Sequence, residues 1–327
     1  FLLHQKLVWE EQNARLLNNH DKCWSKFGYS KQYGGFDRLM KSLQRKSLRW
    51  TVDVSGWDRV LPLLPEVYKI RRHFLNFGDS NNQYLNWIER NTCYPFISLE
   101  DGSIYQRMCG NGSGSNNTSE DNTIAHIIIM FYLLISLYFH FFNVFPTYDE
   151  INRDALAGLY GDDKIAALDW LNFCKTEFDE EFFKNFVIGI YEEFGMTVKK
   201  SQFLVQYDEK LGPLDGLEFL GSTARFDYKR NVYVPEPRIS KIATSLRGIL
   251  ISDDTEDVLI SKLTAAYELC FFGLSDHCKF LVSFIKDFSH YLINLNSLTI
   301  KNNIVLQKII TDTHPVEHLL YGWEANN

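Results

Sequence analysis

The chain has 327 residues, enough for a large core and for one to three domains. With 45% hydrophobic, 23% charged and 15% aromatic residues, its composition excludes a disordered or low-complexity chain. The net charge of −7 has the wrong sign for a simple nucleic-acid-binding domain, so a role with nucleic acid needs a local source of positive charge. The cysteines are scattered, with no C-x-x-C pair, and read as free thiols in a reducing compartment. Cys270…His277-Cys278 lacks the second ligand pair of a zinc site, and His314-Pro-Val-Glu-His318 lacks the zincin order of His and Glu. The chain opens on Phe1 without a signal-like leader and is expected to be a segment of a longer chain.

In chain order, residues 1–47 read as mixed helical, broken at Gly34-Gly35. Residues 48–54 are β-rich and deliver Asp53, followed by Ser55-Gly-Trp-Asp58. A helix is expected near 65–77 and a loop at 79–83. Tyr94–Leu99 and Ser103–Arg107 read as a hairpin turning at Asp101-Gly102. The Gly- and Ser-rich run from Gly110 leads into a helix. From Asn122 to Tyr148 there is no Lys, Arg, Asp or Glu, and residues 123–142 are long enough to cross a bilayer. The acids and loops on either side suit a soluble catalytic site, and a helix apolar all round can also lie buried in a large protein. The expectation is a buried helix and no direct membrane span, with His126 and His140 as hydrogen-bonded core residues. Ala155–Leu168 reads as a hairpin around Gly161-Asp162-Asp163. Residues 179–194 read as an amphipathic helix stopped by Gly195, leading through Lys199-Lys200 to a strand. A second hairpin turns across Tyr228-Lys-Arg-Asn. Residues 236–327 are mostly helical in pattern. There Arg238, Lys241 and Arg247 fall on or near one helical stretch, to meet backbone phosphates or to form a solvated basic face.

Three of these elements carry chemistry. A hairpin tip lets carboxylates project, and Asp53 brought beside Asp162 would form the shared cage that two Mg²⁺ ions need. Thr118 and Asn122 are four apart and share a helix face, with Ser113 and Gly114 on the loop before them. That face offers hydroxyls and an amide to a sugar edge. Helix capping by the same Ser and Asn residues is the plainer reading of this run, but it does not account for the Ser-Gly-x-x-x-Thr-x-x-x-Asn spacing.

The ordered set Asp53-x-x-x-x-Asp58, Ser113-Gly-x-x-x-Thr118-x-x-x-Asn122 and Tyr160-Gly-Asp-Asp163 resembles motifs A, B and C of positive-strand RNA virus RNA-dependent RNA polymerases. Gly110-Asn111 before the Ser-Gly pair and Asp121-Asn122 at its end are similar to the potyvirus and astrovirus-like lineage. The resemblance covers roughly residues 30–235. It implies an α+β fold: a right-hand polymerase palm, an antiparallel sheet backed by helices, with partial fingers and a mostly helical thumb. The implied domains are partial fingers at 1–47, palm at 48–77, a fingers insertion at 78–108, palm again at 109–235 and thumb at 236–327.

The resemblance also implies roles. Asp53, Asp162 and Asp163 would hold Mg²⁺, with Mn²⁺ able to substitute. Asp58, Ser113, Gly114, Thr118 and Asn122 would bind the nucleotide and its ribose. Lys200, preferred to Lys199, would donate a proton to the leaving pyrophosphate. The hairpin at 217–235 resembles motif E, the primer grip. Implied partners are an RNA template and nascent strand, NTPs and other viral replication proteins. The implied setting is the host cytoplasm, in membrane-associated replication complexes. The basic motif F of the family has no counterpart in residues 1–47, so a catalytically incomplete fragment or an RNA-binding scaffold is one alternative. A reverse transcriptase-like polymerase is another, against which Asp58 stands where that family carries an aromatic residue.

Overall fold

The computed structural model describes residues 1–74, 82–112, 115, 117–249, 256–295 and 298–313, the side chains of 247–249 excepted. The chain divides into two compact units, one of residues 1–29 and 43–212, the other of residues 30–42 and 213–327.

The elements of the amino-terminal half are α1 (Leu2–Asn18), α2 (Gly35–Gln44), β1 (Leu48–Thr51), β2 (Val54–Ser55), α3 (Trp57–Val60), α4 (Leu64–Phe74), α5 (Gln83–Cys93), β3 (Phe96–Ser98) and β4 (Ile104–Gln106). Then follow α6 (Thr118–Phe142), α7 (Tyr148–Asp154), β5 (Ala155–Tyr160), β6 (Asp163–Leu168), α8 (Trp170–Cys174), α9 (Glu180–Glu193), β7 (Thr197–Val198), a 3-10 turn at Lys200–Gln202, and β8 (Leu204–Tyr207). The carboxy-terminal elements are β9 (Glu218–Phe219), β10 (Ser222–Asp227), β11 (Val232–Pro237), α10 (Ile239–Ile249), α11 (Glu256–Phe271), α12 (Asp276–Asn294) and α13 (Ile300–Ile310).

The first unit is built on a four-stranded sheet in the order β5-β6-β1-β8. Its pairs are antiparallel, with Trp50 of β1 opposite Ala166 on one side and Val205 on the other. Small side chains at Ala157 and Ala166, fully buried on the same face of the sheet as Trp50, leave volume for its fully buried ring. On the other face of β1, Arg49 is buried too. It donates to the carbonyls of Gln44 and Gly212, which satisfies part of its guanidinium inside the unit. Helix α9 starts at Asp179, whose carboxylate accepts from the Phe182 amide. It ends before Gly195, at φ +71°, as its sequence pattern required. The 96–106 hairpin turns through Asp101-Gly102 as expected, with the Asp101 carboxylate accepting from the Ser103 amide at 2.9 Å.

Helix α6 departs in part from expectation. Its first turns are buried from Glu120 to His126, and one face continues inward through Ile129, Met130, Leu133, Leu134 and Leu137. Its other face is open, with Tyr132 and Phe139 about 40% exposed. Only 44% of its most apolar window is buried, although among the described residues it is the helix long and apolar enough to cross a membrane. The reason is geometric. Strand β5 and helices α4, α8 and α9 contact it from one side, and a helix is covered all round only when neighbours close both sides.

The second unit has its own core. Val232 and Val234 of β11 pack with Ile260, Leu263, Tyr267, Ile285 and Leu306 of α11, α12 and α13. That apolar face joins the β9–β10–β11 sheet to the carboxy-terminal helices, so this compact unit begins again at residue 213. The turn between β10 and β11 is held by Asp227, which accepts from the amides of Lys229 and Arg230.

Candidate active site

The acidic hairpin sets the centre. The register Tyr160↔Asp163 leaves Gly161-Asp162 as a two-residue turn. Gly161 takes φ +59°, which a II′-type turn demands at its first central position and which glycine adopts without strain. Helix α6 then grips this glycine by both backbone groups. The Gly161 N–H donates to Thr123 Oγ1 at 2.8 Å, and its carbonyl lies 3.0 Å from His126 Nδ1. A carbonyl can only accept, so Nδ1 carries the imidazole proton and Nε2 accepts from the Tyr191 hydroxyl at 3.0 Å. Burial, and then the charge of Lys164, push His126 down to about 3, which keeps it neutral. Lys164 follows the acids on β6, is buried, and donates to the same Tyr191 oxygen; burial pushes its ammonium well below the usual range.

Asp53 and Asp58 reach this tip from the end of β1 and from α3. Asp162 keeps solvent access, yet its carboxyl is pushed up, first by the protein that crowds out its water, then by the charges of Asp58 and Asp53. Lys199 opposes that shift. The three carboxylates therefore act within one local field. Asp163 is exposed beside them.

Of the two lysines, it is Lys199 that the strand register brings to Asp53. Strand β7 pairs with β2 through Ser55↔Thr197 and Val54↔Val198, and the Lys199 amide continues the ladder to Asp53 O at 2.9 Å. This sets Lys199 Nζ 2.8 Å from Asp53 Oδ2. Lys200 begins the 3-10 turn, which turns it away; it lines a separate cavity with Glu180, Glu181, Lys184 and Phe203.

The residues expected to face a sugar are brought together only in part. Asn122 Nδ2 donates to Asp58 Oδ1 at 2.7 Å, which joins the first acidic segment to α6. Thr118 turns its hydroxyl inward, to the carbonyls of Gly112 and Ser115 at 2.6 and 3.0 Å, where it shapes the loop. Ser113 and Gly114 lie outside the described residues. Of the three basic residues, Arg238 is ion-paired with Glu218, Lys241 is exposed on α10, and the Arg247 side chain lies outside the described residues.

Several positioning residues escaped the sequence reading. Thr123, Tyr191 and Lys164 carry no local signal, because each matters only through a contact made across the fold. Gly110-Asn111 did carry one, as a lineage signature. The Gly110 and Asn111 amides donate to Leu61 O and Asp58 O, both at 2.7 Å. At φ +82°, a Cβ on Gly110 would come within 2.5 Å of Asp58 O, so the approach admits only glycine. Asp121 proves structural. It is fully buried against Arg71 Nε at 2.7 Å and accepts from the Tyr68 hydroxyl at 3.0 Å.

Carboxylates are the donors that suit a hard divalent cation, and the charges of Asp58 and Asp53 both act on Asp162. Among the described residues, no three His, Cys, Asp or Glu side chains form a closed metal cage, and the Lys199 ammonium sits on Asp53.

The family model for viral RNA-dependent RNA polymerases matches residues 1–247, which takes in Asp53, Asp58, Thr118, Asn122, Asp162, Asp163 and Lys199. The non-structural polyprotein 1AB of Turkey astrovirus 2 is 25% identical over 312 residues, 93% of this chain and 18% of the polyprotein. That of Turkey astrovirus 1 is 26% identical over 271 residues, 80% of this chain and 16% of the polyprotein. The genome polyprotein of Zucchini yellow mosaic virus (strain Reunion Island) is 31% identical over 169 residues, 51% of this chain and 5% of the polyprotein. The chain thus spans less than a fifth of the length of these relatives. By the extent of the family match, the chain belongs to the viral RNA-dependent RNA polymerases.

Proposed function

We propose that this chain carries the catalytic core of template-directed RNA synthesis, joining an NTP to an RNA 3′-hydroxyl during viral genome replication. The observation that carries the reading is the convergence of charge at the hairpin tip. Asp53 and Asp58, from separate elements, both bear on Asp162, and Asp58 is bonded to the helix residue Asn122. In this reading the first unit acts as palm with partial fingers, and the helical second unit as thumb.

Asp53 and Asp162 would hold Mg²⁺ or Mn²⁺, with Asp163 at the edge. The fit rests on the Asp162 carboxyl being pushed up, first by burial and then by the charges of Asp58 and Asp53, a cost that a bound cation would relieve. Such ions, when bound, supply Lewis-acid activation of the attacking hydroxyl and charge neutralisation at the phosphates. The Thr123 and His126 grip on Gly161 keeps the acidic turn from reorganising during the reaction. Asp58 and Asn122 form the pair that meets the ribose hydroxyls; a deoxyribose would leave those polar groups without their partner and so bind less well. Lys199, released from Asp53, would bring a proton on Nζ to the leaving pyrophosphate, and its support is the 2.8 Å contact with the acid cluster. The same reading carries with it RNA and NTPs as partners, other viral replication proteins, and membrane-associated replication complexes in the host cytoplasm.

Primer extension on an RNA template tests this. Asp162→Asn in the full polymerase should abolish extension while RNA binding stays near wild type, because Asp162 serves the metals and not the phosphate grip. Extension by that variant at the wild-type rate would overturn the assignment.

A further inference from the structure

The ribose-reading pair depends on which way one amide points. Asn122 has a carbonyl oxygen and an NH₂ of nearly equal size, and only the NH₂ can pair with a carboxylate. Asp58 accepts from Asn122 Nδ2 at 2.7 Å, so Asn122 Oδ1 faces away from it. That oxygen accepts from Asn111 Nδ2 at 3.0 Å. The second proton of Asn111 Nδ2 goes to the backbone carbonyl of Thr118 at 3.3 Å. Acceptors that cannot donate, a carboxylate and a backbone carbonyl, stand at the two ends of this chain of bonds, so its polarity is determined throughout.

Asn111 is buried, and among the described residues its own carbonyl oxygen is buried without a hydrogen-bond partner. Rotating the amide would not help, because its NH₂ would then leave two acceptors, Thr118 O and Asn122 Oδ1, facing an oxygen. The backbone of Asn111 adds a second tie, its N–H donating to Asp58 O at 2.7 Å. One residue thus holds both members of the pair, Asp58 by its main chain and Asn122 by its side chain.

We propose that Asn111 is a specificity-determining positioning residue, which locks the Asn122 amide with its donor toward Asp58 and thereby sets discrimination between ribo- and deoxyribonucleotides. The inference rests on the ribose-reading role proposed above for Asp58 and Asn122. Asn111→Asp keeps the shape and replaces the NH₂ by a second oxygen. That oxygen repels Asn122 Oδ1, and turning Asn122 to escape it would set its oxygen against Asp58. Asn111→Ala removes the lock without the repulsion.

The test is single-nucleotide incorporation by the full polymerase, with an NTP and its matching dNTP on the same primed template. Asn111→Asp should lower the ratio of kcat/KM values, NTP over dNTP, by about tenfold, the weight of one hydrogen bond to a charged group. The loss should fall on the NTP, mainly through KM. Asn111→Ala should shift the ratio less, in the same direction, and carries the test if Asn111→Asp fails to fold. If Asp58→Ala and Asn122→Ala lower the ratio but both Asn111 variants retain it, the role of Asn111 is refuted and the ribose reading stands. If neither Asp58→Ala nor Asn122→Ala moves the ratio, the ribose reading itself fails. Equal losses on NTP and dNTP in the Asn111 variants would mark a merely structural role and also overturn the proposal.

Discussion

The Arg71–Asp121 pair invites a quantitative prediction, because both side chains are fully buried. It ties α4 to the first turn of α6, one residue before Asn122. Arg71 Nη1 also donates to Gln12 Oε1 at 2.8 Å and Asn13 Oδ1 at 2.9 Å on α1, and the guanidinium lies over the Trp9 ring at 5.5 Å. Burial pushes the Asp121 carboxyl up, and Arg71 and the Tyr68 hydroxyl only partly offset this. The two partners therefore respond differently to loss of the other. Asp121→Ala strands a guanidinium that cannot deprotonate, and should cost about 3–5 kcal/mol. Arg71→Met leaves a carboxyl that can take up a proton, so its cost should be smaller, about 1–3 kcal/mol. The sign in pH follows. A carboxyl raised in the folded state binds more protons there than when unfolded, so the Arg71→Met variant should gain stability relative to wild type as pH falls from 7 to 5. The double variant should cost less than the two singles added together, by up to about 3 kcal/mol. Urea unfolding followed by tryptophan fluorescence measures all three, at fixed ionic strength. Additive single costs, or a cost below about 1 kcal/mol for Asp121→Ala, would refute the argument.

Other outcomes follow from the site. Gly110→Ala should destabilise by about 1–3 kcal/mol and weaken NTP use, since the methyl meets the Asp58 carbonyl at a left-handed φ; a variant that melts and turns over like wild type would contradict the close approach. Removing the ionised carboxylate with Asp162→Asn should raise the melting temperature of the metal-free protein, because crowding and the Asp58 and Asp53 charges disfavour that charge; Mn²⁺ should stabilise the wild type and not the variant, and an equal thermal shift in both would argue against cation binding there. His126 is held neutral down to about 3, so between pH 6.5 and that value the unfolded chain binds the extra proton and stability falls with acid, by up to about 5 kcal/mol. His126→Gln should flatten that slope, and a slope identical to wild type in acid denaturation would show that the buried imidazole does not titrate as argued.

Much of this protein was legible without coordinates. Ala155–Leu168 has two short apolar runs and a Gly-Asp turn, and local chemistry alone makes that a hairpin with carboxylates at its tip. The 94–107 and 222–237 hairpins and the helix closed by Asp179 and Gly195 follow from the same short-range rules. Contacts between distant segments were decided only by tertiary structure. The β2–β7 register, not any feature of Lys199-Lys200, sets which lysine meets Asp53. Packing on one side of α6 leaves its other face open, where its composition and flanks pointed to a buried helix. The grip of Thr123 and His126 on Gly161, and of Asn111 on Asn122, join residues whose local patterns specify a helix or a loop and nothing more. Turns, caps and periodicity are settled by sterics within a few residues. Hydrogen-bond partners across the fold depend on how whole elements pack, and that packing depends on the entire chain at once.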